Sequence, residues 1–167
     1  MHHNEFFNEN YKKERNYFGF KPNKEIIKLI KYKKSGTVLD LGVGEGKNAL
    51  FLAKNGFDVT GIDISQEGIN NFLKSAKDIN VKVKALVGDI NKIKFDKTYD
   101  VIISNSTLHF LKKEEIKRII KNMKEYTKQG GINLITVFTI KNSSENFPYL
   151  FKKNELKEFY KDWEILE

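Results

Sequence analysis

The stretch Thr37-Val-Leu-Asp-Leu-Gly-Val-Gly-Glu-Gly-Lys-Asn-Ala49 decides the fold of this chain. It opens with a short apolar run that is interrupted by one acid, Asp40, and continues with three alternate glycines, Gly42, Gly44 and Gly46. The residues after the last glycine have the pattern of a helix. This order predicts a buried strand, a tight glycine turn, and a helix whose first N–H groups point into the turn.

The spacing of the glycines separates this turn from the dinucleotide-binding type. That type has the spacing Gly-x-Gly-x-x-Gly, and its third glycine would fall on Lys47. The spacing here is Asp-x-Gly-x-Gly-x-Gly, with the acid two positions before the first glycine.

Strand and helix patterns alternate around this stretch. The predicted strands cover residues 37–41, 58–62, 81–87, 99–104 and 132–139, and a sixth strand begins at 163–167. The predicted helices cover residues 23–34, 47–54, 66–77 after a Ser65 cap, 113–126, and 153–160 with a cap at Asn154. The alternation predicts an α/β fold, a three-layer α/β/α sandwich with a doubly wound, mostly parallel sheet of the Rossmann type.

The composition suits one globular domain and excludes several classes of site. Hydrophobic residues make up 40% of the chain and aromatic residues 13%, which is enough for a packed core. The chain has no cysteine, so disulfides, thiolate metal sites and cysteine nucleophiles are excluded, and we expect no metal site. No apolar run approaches the ~18 residues that cross a bilayer, and we see no secretory signal, so we expect a cytoplasmic protein with no membrane partner.

The net charge of +8 suits either nucleic acid or an anionic small molecule. The lysines are spread along the whole chain, however, which favours a generally lysine-rich composition as the explanation.

In a doubly wound sheet, ligands bind at the carboxyl ends of the strands. Asp40, Asp63 and Asp89 stand at the first three of these ends. A carboxylate at Asp63 suits the two hydroxyls of a ribose, and Asp89 beside Ile90 suits the amine and ring face of an adenine. A turn cap is the alternative interpretation of Asp89.

These motifs resemble class I S-adenosylmethionine-dependent methyltransferases, as do Tyr99-Asp-Val-Ile-Ile-Ser104 and Lys128-Gln-Gly-Gly131. The resemblance implies S-adenosylmethionine as cofactor and S-adenosylhomocysteine as product. It further implies that the three glycines make room for the methionine and ribose and that Asp40 holds the methionine amino group. The other implied cofactor contacts are Asn48, Asp63, Ile64, Asp89, Ile90, Ser104 and Tyr17.

Within that class, the chain is similar to the tellurite-resistance methyltransferases (TehB-like). The similarity is carried by Gly46-Lys-Asn-Ala-Leu-Phe-Leu-Ala-Lys-Asn-Gly-Phe-Asp-Val59, by residues 151–163 and by Tyr17-Phe18. Val43 replaces that family's usual Cys, which we expect to be harmless because the backbone makes the contacts. The sequence ends where the family's last β-hairpin begins, so we expect an incomplete hairpin without its substrate-binding His and Arg residues.

The expected domain organisation is a single methyltransferase domain in three parts. Residues 1–22, rich in aromatic rings, form an N-terminal lid; residues 23–139 form the cofactor-binding core; residues 140–167 form a substrate-side segment. The strand without a hairpin partner, predicted at 132–139, leaves an edge that we expect to pair in a homodimer.

The function implied by the resemblance is methyl transfer to a small anionic or soft nucleophile, either an oxyanion of the tellurite or selenite type or a thiol. Such a nucleophile needs no strong base. The segment from Ser104 to Phe110 follows the fourth strand, and it supplies the candidate catalytic residues His109 and Asn105. Core packing is the competing interpretation of His109.

Two other functions stay open at this point. A nucleic-acid methyltransferase would suit the positive charge, but Ser104-Asn-Ser-Thr107 lacks the prolines of the adenine and cytosine-N4 enzymes, and a small-molecule substrate is preferred. A domain that binds the cofactor without catalysis would suit a chain that lacks the hairpin.

Overall fold

The computed structural model describes residues 3–141 and 147–166. Its five strands form one parallel sheet in the order β3-β2-β1-β4-β5. The strands are β1 Gly36–Leu41, β2 Phe57–Asp63, β3 Lys84–Val87, β4 Tyr99–Asn105 and β5 Thr127–Thr136. The helices are α1 His3–Lys13, α2 Lys24–Tyr32, α3 Lys47–Lys54, α4 Gln66–Asp78, α5 Lys113–Glu125 and α6 Glu155–Phe159. The predicted parallel α/β sandwich is confirmed.

Two hydrophobic cores cover the two faces of the sheet. In β1, Val38 belongs to the core formed with α2, α3 and α4, and Leu39 belongs to the core formed with α5 and the C-terminal segment. Neighbouring residues of a strand point to opposite faces, so this short run serves both cores. Burial on both faces is why the strands are continuous apolar runs in the sequence.

The strand order reverses at β1, which has β2 on one side and β4 on the other. A crevice opens at the carboxyl ends of the strands at such a switch point. The glycine turn leads from β1 into α3 at this point, so the fold positions the turn at the expected ligand crevice.

The predicted bounds of α3 and the predicted Ser65 cap of α4 are confirmed. The structure places α3 at the predicted bounds, and Ser65 caps α4 by accepting a hydrogen bond from the Gly68 N–H at 3.0 Å. A cap of this kind satisfies one of the first unpaired N–H groups of a helix.

Helix α1 is the largest element that the sequence did not predict. Its residues are mostly Asn, Glu and Lys, which give no clean apolar period. Phe7 and Tyr11 are four residues apart and therefore share one side of the helix. That side faces the protein, because Tyr11 is buried whereas Phe6 is exposed.

The prediction that β5 starts at residue 132 after a turn is wrong. The strand starts at Thr127 and passes through the predicted turn as a bulge, in which Gly130 has a φ of 69°. Thr127 lies opposite Tyr99, and Ile132 lies opposite Val101, so three extra residues of β5 are taken up there. The strand ends at Thr136 rather than at 139.

Strand β3 starts at Lys84 and not at 81, because the preceding residues close α4. Asn80 has a φ of 55°, and the Val81 N–H donates to the Ala76 carbonyl at 2.9 Å. This is the left-handed ending that commonly terminates a helix.

Two C-terminal predictions have different outcomes. Asn154 is at the predicted N-cap position of α6, but its side chain makes no capping hydrogen bond; its φ is 65°, and its carbonyl accepts from the Lys157 N–H. The predicted sixth strand is wrong. Residues 163–166 are not a strand, because the Trp163 N–H turns back to the Tyr160 carbonyl at 2.8 Å. Glu167, the last residue of the predicted strand, lies outside the described residues. So do residues 1–2 of the predicted lid and residues 142–146 of the predicted substrate-side segment.

Among the residues with a described structure, no helix combines the length and the apolar character needed to cross a membrane.

Candidate functional site

The glycine turn is fixed to the end of β2 by its backbone. The N–H groups of Gly42 and Val43 both donate to the Ile62 carbonyl, at 2.8 and 3.0 Å. The glycines at 42, 44 and 46 have φ angles of 80°, 55° and 83°, in the left-handed region that favours glycine. A Cβ at Gly46 would lie 2.0 Å from the Phe72 ring. Packing of the turn against α4 therefore requires glycine at position 46.

Asp63 closes the turn from the side of β2. Its Oδ2 accepts the Gly44 N–H at 2.7 Å, and its Oδ1 accepts the Ser65 N–H at 2.9 Å. Burial raises the pKa of Asp63, and these N–H donors act in the opposite direction. A carboxylate has about four acceptor positions, so some acceptor capacity remains for a hydroxyl group of a ligand beside these backbone donors.

Asp40 lies deeper, at the end of β1, and is only 2% exposed. Burial, followed by the charge of Asp63, raises the pKa of Asp40 to about 7. Asp40, Asp63 and the glycine turn, which the sequence predicted to form one site, lie together in the structure. Two adjacent buried acids favour a cationic ligand.

Tyr11 is a site residue that sequence reasoning missed. It is 5% exposed, and its hydroxyl lies 2.8 Å from the position that a Cβ on Gly44 would take. Burial and the nearby acids Asp63 and Glu45 raise the pKa of Tyr11. The signals for this placement were the aromatic richness of residues 1–22 and the spacing of Phe7 and Tyr11.

Helix α1 is attached to the first turn of α4. The Asn8 side-chain oxygen accepts from the Ser65 hydroxyl at 2.7 Å and from the Glu67 N–H at 3.1 Å. Tyr17, the predicted cofactor contact, lies one layer further out: its ring centroid is 6.4 Å from that of Tyr11, and it is 38% exposed.

Asn48 and Asn105 belong to one hydrogen-bond network that passes through Asn23. The Asn23 N–H donates to the Asn48 side-chain oxygen at 3.0 Å, and the Asn23 side chain donates to Asn105 at 3.1 Å. The Thr136 hydroxyl also donates to Asn105, at 2.9 Å. This network joins a predicted cofactor residue to a predicted catalytic residue, and neither Asn23 nor Thr136 was predicted.

Ser104 and His109 each have a buried side-chain atom without the hydrogen bonds that the Asp63 oxygens have. Among the side chains that the structure describes, the Ser104 Oγ and the His109 Nδ1 are the buried polar atoms without a hydrogen bond. The His109 ring lies among Phe110, Phe138 and Phe147 at centroid distances of 4.5, 4.4 and 4.4 Å. Burial lowers the pKa of His109 to about 4, so the imidazole is neutral at pH 7.

The predicted adenine contacts have structural partners of their own. Asp89 caps a turn by accepting the Asn91 N–H at 2.9 Å. Ile90 is buried in the core shared with Phe95. Ile64, predicted as a cofactor contact without a stated part of the cofactor, is half-buried directly after Asp63.

The model of the family described as "Tellurite resistance protein TehB" matches residues 1–167, the whole chain. The chain belongs to the TehB family. The family predicted from the glycine turn and the run after it is thereby confirmed.

One member of the TehB family that the chain resembles is the "Probable S-adenosyl-L-methionine-dependent methyltransferase TehB" of Haemophilus influenzae. It is 37% identical over 168 residues, which cover 94% of this chain and 58% of the relative. The crystal structure of TehB from Haemophilus influenzae has a TM-score of 0.83 and 35% identity, and the match covers 96% of this chain and 57% of that chain. This chain therefore spans less than two thirds of the TehB relatives that it matches.

A relative outside the TehB name is the ubiquinone biosynthesis O-methyltransferase of Rickettsia canadensis. It is 35% identical over 99 residues, which cover 59% of this chain and 41% of the relative. The enzyme class and the cofactor predicted from the sequence agree with the names of these relatives.

Proposed function

We propose that this chain binds S-adenosylmethionine at the carboxyl ends of β1 and β2 and transfers its methyl group to a small, soft nucleophile. The observation that carries the proposal is the pair Asp40 and Asp63 around the glycine turn, at the switch point of a TehB-family sheet.

The residues of this site fit the charges and groups of the cofactor. S-adenosylmethionine carries a sulfonium and an ammonium group, and Asp40 and Asp63 provide buried negative charge for these cations. Asp63 keeps acceptor capacity that suits a ribose hydroxyl. The Tyr11 ring lies beside the glycine turn and Asp63. It would supply an apolar face for the remaining part of the cofactor.

When bound, the cofactor supplies a methyl group that its positively charged sulfur has already activated. The chain then has to hold the nucleophile in line with the methyl group and keep water out. The segment after β4 would do so together with the C-terminal part of the chain, because Phe110, Phe138 and Phe147 close around His109. Neutral His109 and Asn105 would orient the nucleophile through hydrogen bonds, since a soft anion needs no strong base.

For the acceptor, we propose a chalcogen oxyanion of the tellurite or selenite type, or a small thiol. The family name supports the oxyanion, and the aromatic surroundings of the segment after β4 support a soft, polarisable acceptor in general. The net charge of +8 would help to capture an anion, an effect that salt should weaken.

The test is a transfer assay with methyl-labelled S-adenosylmethionine and a panel of tellurite, selenite and small thiols. We expect labelled product from at least one acceptor and much less from the Asp63→Ala variant at a cofactor concentration below saturation. An Asp58→Ala variant, which changes an exposed acid on the same strand, is the matched control and should keep the activity. Cofactor binding without transfer to any acceptor would contradict the enzymatic half of the proposal and favour a cofactor-binding domain without catalysis.

A further inference from the structure

The turn between α1 and α2 is exposed but has a defined shape. Asn16 and Gly19 have φ angles of 61° and 77°, and the Gly19 N–H donates to the Asn16 carbonyl at 2.6 Å. Phe18 and Phe20 are 54% and 72% exposed. Phe18 does contact the Tyr11 and Tyr17 rings, at centroid distances of 6.1 and 4.8 Å. Stabilisation is roughly proportional to the apolar surface buried, so rings this exposed bury too little to hold the turn by themselves.

Glu45 provides the attachment that burial does not. It stands in the middle of the glycine turn, and its carboxylate accepts the N–H groups of Asn16 at 2.8 Å and Tyr17 at 2.7 Å. The Asn71 side chain donates to the same carboxylate at 2.9 Å, and Lys47 Nζ donates to the Phe18 carbonyl at 3.1 Å. Hydrogen bonds to a charged group are about twice as strong as those between neutral groups. The exposed turn is therefore tied to the glycine turn by charge.

This attachment keeps the N-terminal segment, residues 3–20, over the two acids. Asp40 and Asp63 are only 2% and 7% exposed, and Tyr11 of the N-terminal segment lies against Gly44 beside them. Access of a ligand to Asp63 would therefore depend on the position of the N-terminal segment, because Tyr11 lies beside this acid.

We propose that Glu45 is a positioning residue that latches the N-terminal segment over the bound cofactor and so sets the rate of cofactor exchange. The latch rests on the proposed function, because the exchanged molecule is S-adenosylmethionine or its product. Glu45 lies in the glycine turn, where the cofactor is proposed to bind. Closure of the N-terminal segment and binding of the cofactor would therefore affect each other.

A second attachment of the N-terminal segment provides the matched control. Arg15 donates to Asp78 at 2.8 Å and to Ser75 at 3.0 Å, near the end of α4. The side chains of Arg15 and Asp78 are 38% and 53% exposed, and neither contacts the glycine turn in the described hydrogen bonds. Exposed pairs of this kind contribute little, so breaking this attachment should leave the latch in place.

The experiment compares the wild type with Glu45→Gln and Asp78→Asn. Glu45→Gln keeps the shape of the side chain, removes its charge, and replaces one acceptor oxygen with a donor. Rapid filtration would follow the release of labelled S-adenosylmethionine after a chase with unlabelled cofactor, and circular dichroism would follow thermal unfolding. We expect Glu45→Gln to release the cofactor about tenfold faster, the change expected for one lost charged hydrogen bond, and Asp78→Asn to stay within about twofold of wild type.

An unchanged release rate in a folded Glu45→Gln protein would overturn the latch. If that variant does not fold, hydrogen exchange on the wild type tests the latch instead. The amides of Asn16 and Tyr17 should be protected and should become more protected with cofactor, and exchange at the rate of a free peptide would overturn the latch. A wild type that binds no cofactor at all would overturn the proposed function, whereas binding with an unchanged Glu45→Gln rate overturns the latch alone.

Discussion

The carboxyl ends of β1 and β2 are built differently from those of β4 and β5. At the first pair, both oxygens of Asp63 accept backbone N–H groups, and the glycine turn is bonded to the end of β2. At the second pair, the Ser104 hydroxyl and the His109 Nδ1 are buried without a partner among the described residues. Buried polar groups normally have hydrogen-bond partners, so these two atoms are available to bond a ligand at the ends of β4 and β5.

This difference separates the two halves of a transfer reaction. A cofactor common to a large class of enzymes suits a rigid site that backbone hydrogen bonds define. An acceptor that varies among relatives suits a site formed by loops and aromatic side chains. We therefore expect substitutions on the β1 and β2 side to be costly and those around His109 to be mild.

The largest effect is expected from Gly46→Ala. The new Cβ would lie 2.0 Å from the Phe72 ring, on a backbone with a φ of 83°. Strain and overpacking together should lower the free energy of unfolding by about 3–5 kcal/mol. Chemical denaturation followed by circular dichroism would measure this change.

Gly130→Ala is the matched control for that substitution. Gly130 has a φ of 69°, but the space around its Cβ position is open to 4 Å. We expect a loss of only about 1 kcal/mol, from backbone strain alone. Equal losses in the two variants would mean that packing of the glycine turn contributes nothing.

The next effect is a dependence of cofactor affinity on pH. The pKa of Asp40 is raised to about 7 in the free protein by burial and by Asp63, and a bound cation would favour the ionised form. Affinity should therefore rise as the pH increases from 6 to 8, by about threefold to tenfold, with release of a proton on binding. Calorimetry in two buffers of different ionisation enthalpy would detect the proton.

The raised pKa of Asp40 also determines whether stability increases or decreases with pH. Between pH 4 and about 7 the unfolded chain has lost the Asp40 proton and the folded protein has kept it, so this group lowers the free energy of unfolding as the pH rises. Asp40→Asn should remove both dependences. If Asp40→Asn retains the full pH dependence of affinity, a group other than Asp40 is responsible for it.

A smaller effect concerns self-association at the edge of the sheet. On its outer side, β5 has no neighbouring strand in the described part of the chain, and a groove of about 280 Å³ runs beside it between α2 and the C-terminal segment. Glu25, Lys28, Lys157 and Glu164 line this groove, so two copies related by a twofold axis can match opposite charges. We propose that a second copy of the chain covers this edge.

Sedimentation of two lysine variants would test the dimer. Leu166 lines the groove and is 43% exposed, and Leu73 on α4 is 44% exposed. We expect Leu166→Lys to weaken dimerisation severalfold and Leu73→Lys to leave it unchanged. A wild type that is monomeric at high concentration would rule the homodimer out.

The smallest effect is expected from His109→Phe. The neutral imidazole already packs among phenylalanine rings and has a buried nitrogen without a partner. The free energy of unfolding should change by no more than about 1 kcal/mol. A loss of several kcal/mol in denaturation would show that His109 has a structural partner, and a selective loss of methyl transfer would support its role in orienting the acceptor.

The sequence was most informative where local chemistry fixes the structure. The alternate glycines before Asn48 and the Ser65 cap predicted the turn, α3 and the start of α4, because backbone angles and helix ends depend on neighbouring residues. Apolar runs also predicted every strand of the sheet, although the bounds of β3 and β5 were wrong.

The features that were missed depend on residues far apart in the chain. Glu45 gives no local signal, since its partners Asn16 and Tyr17 are brought to it by the fold. The Asn23 network is another case, because it joins α2, α3 and β4. Polar composition hid α1 because its apolar side consists of little more than Phe7 and Tyr11.

The most direct measurement is a calorimetric titration of S-adenosylmethionine into the wild type and into Asp63→Ala. We expect one binding site per chain in the wild type. The variant should bind more weakly by about 1–3 kcal/mol, because it loses hydrogen bonds from a buried carboxylate. A wild type that shows no binding, or a folded Asp63→Ala protein with unchanged affinity, would contradict the assignment of the cofactor to the ends of β1 and β2.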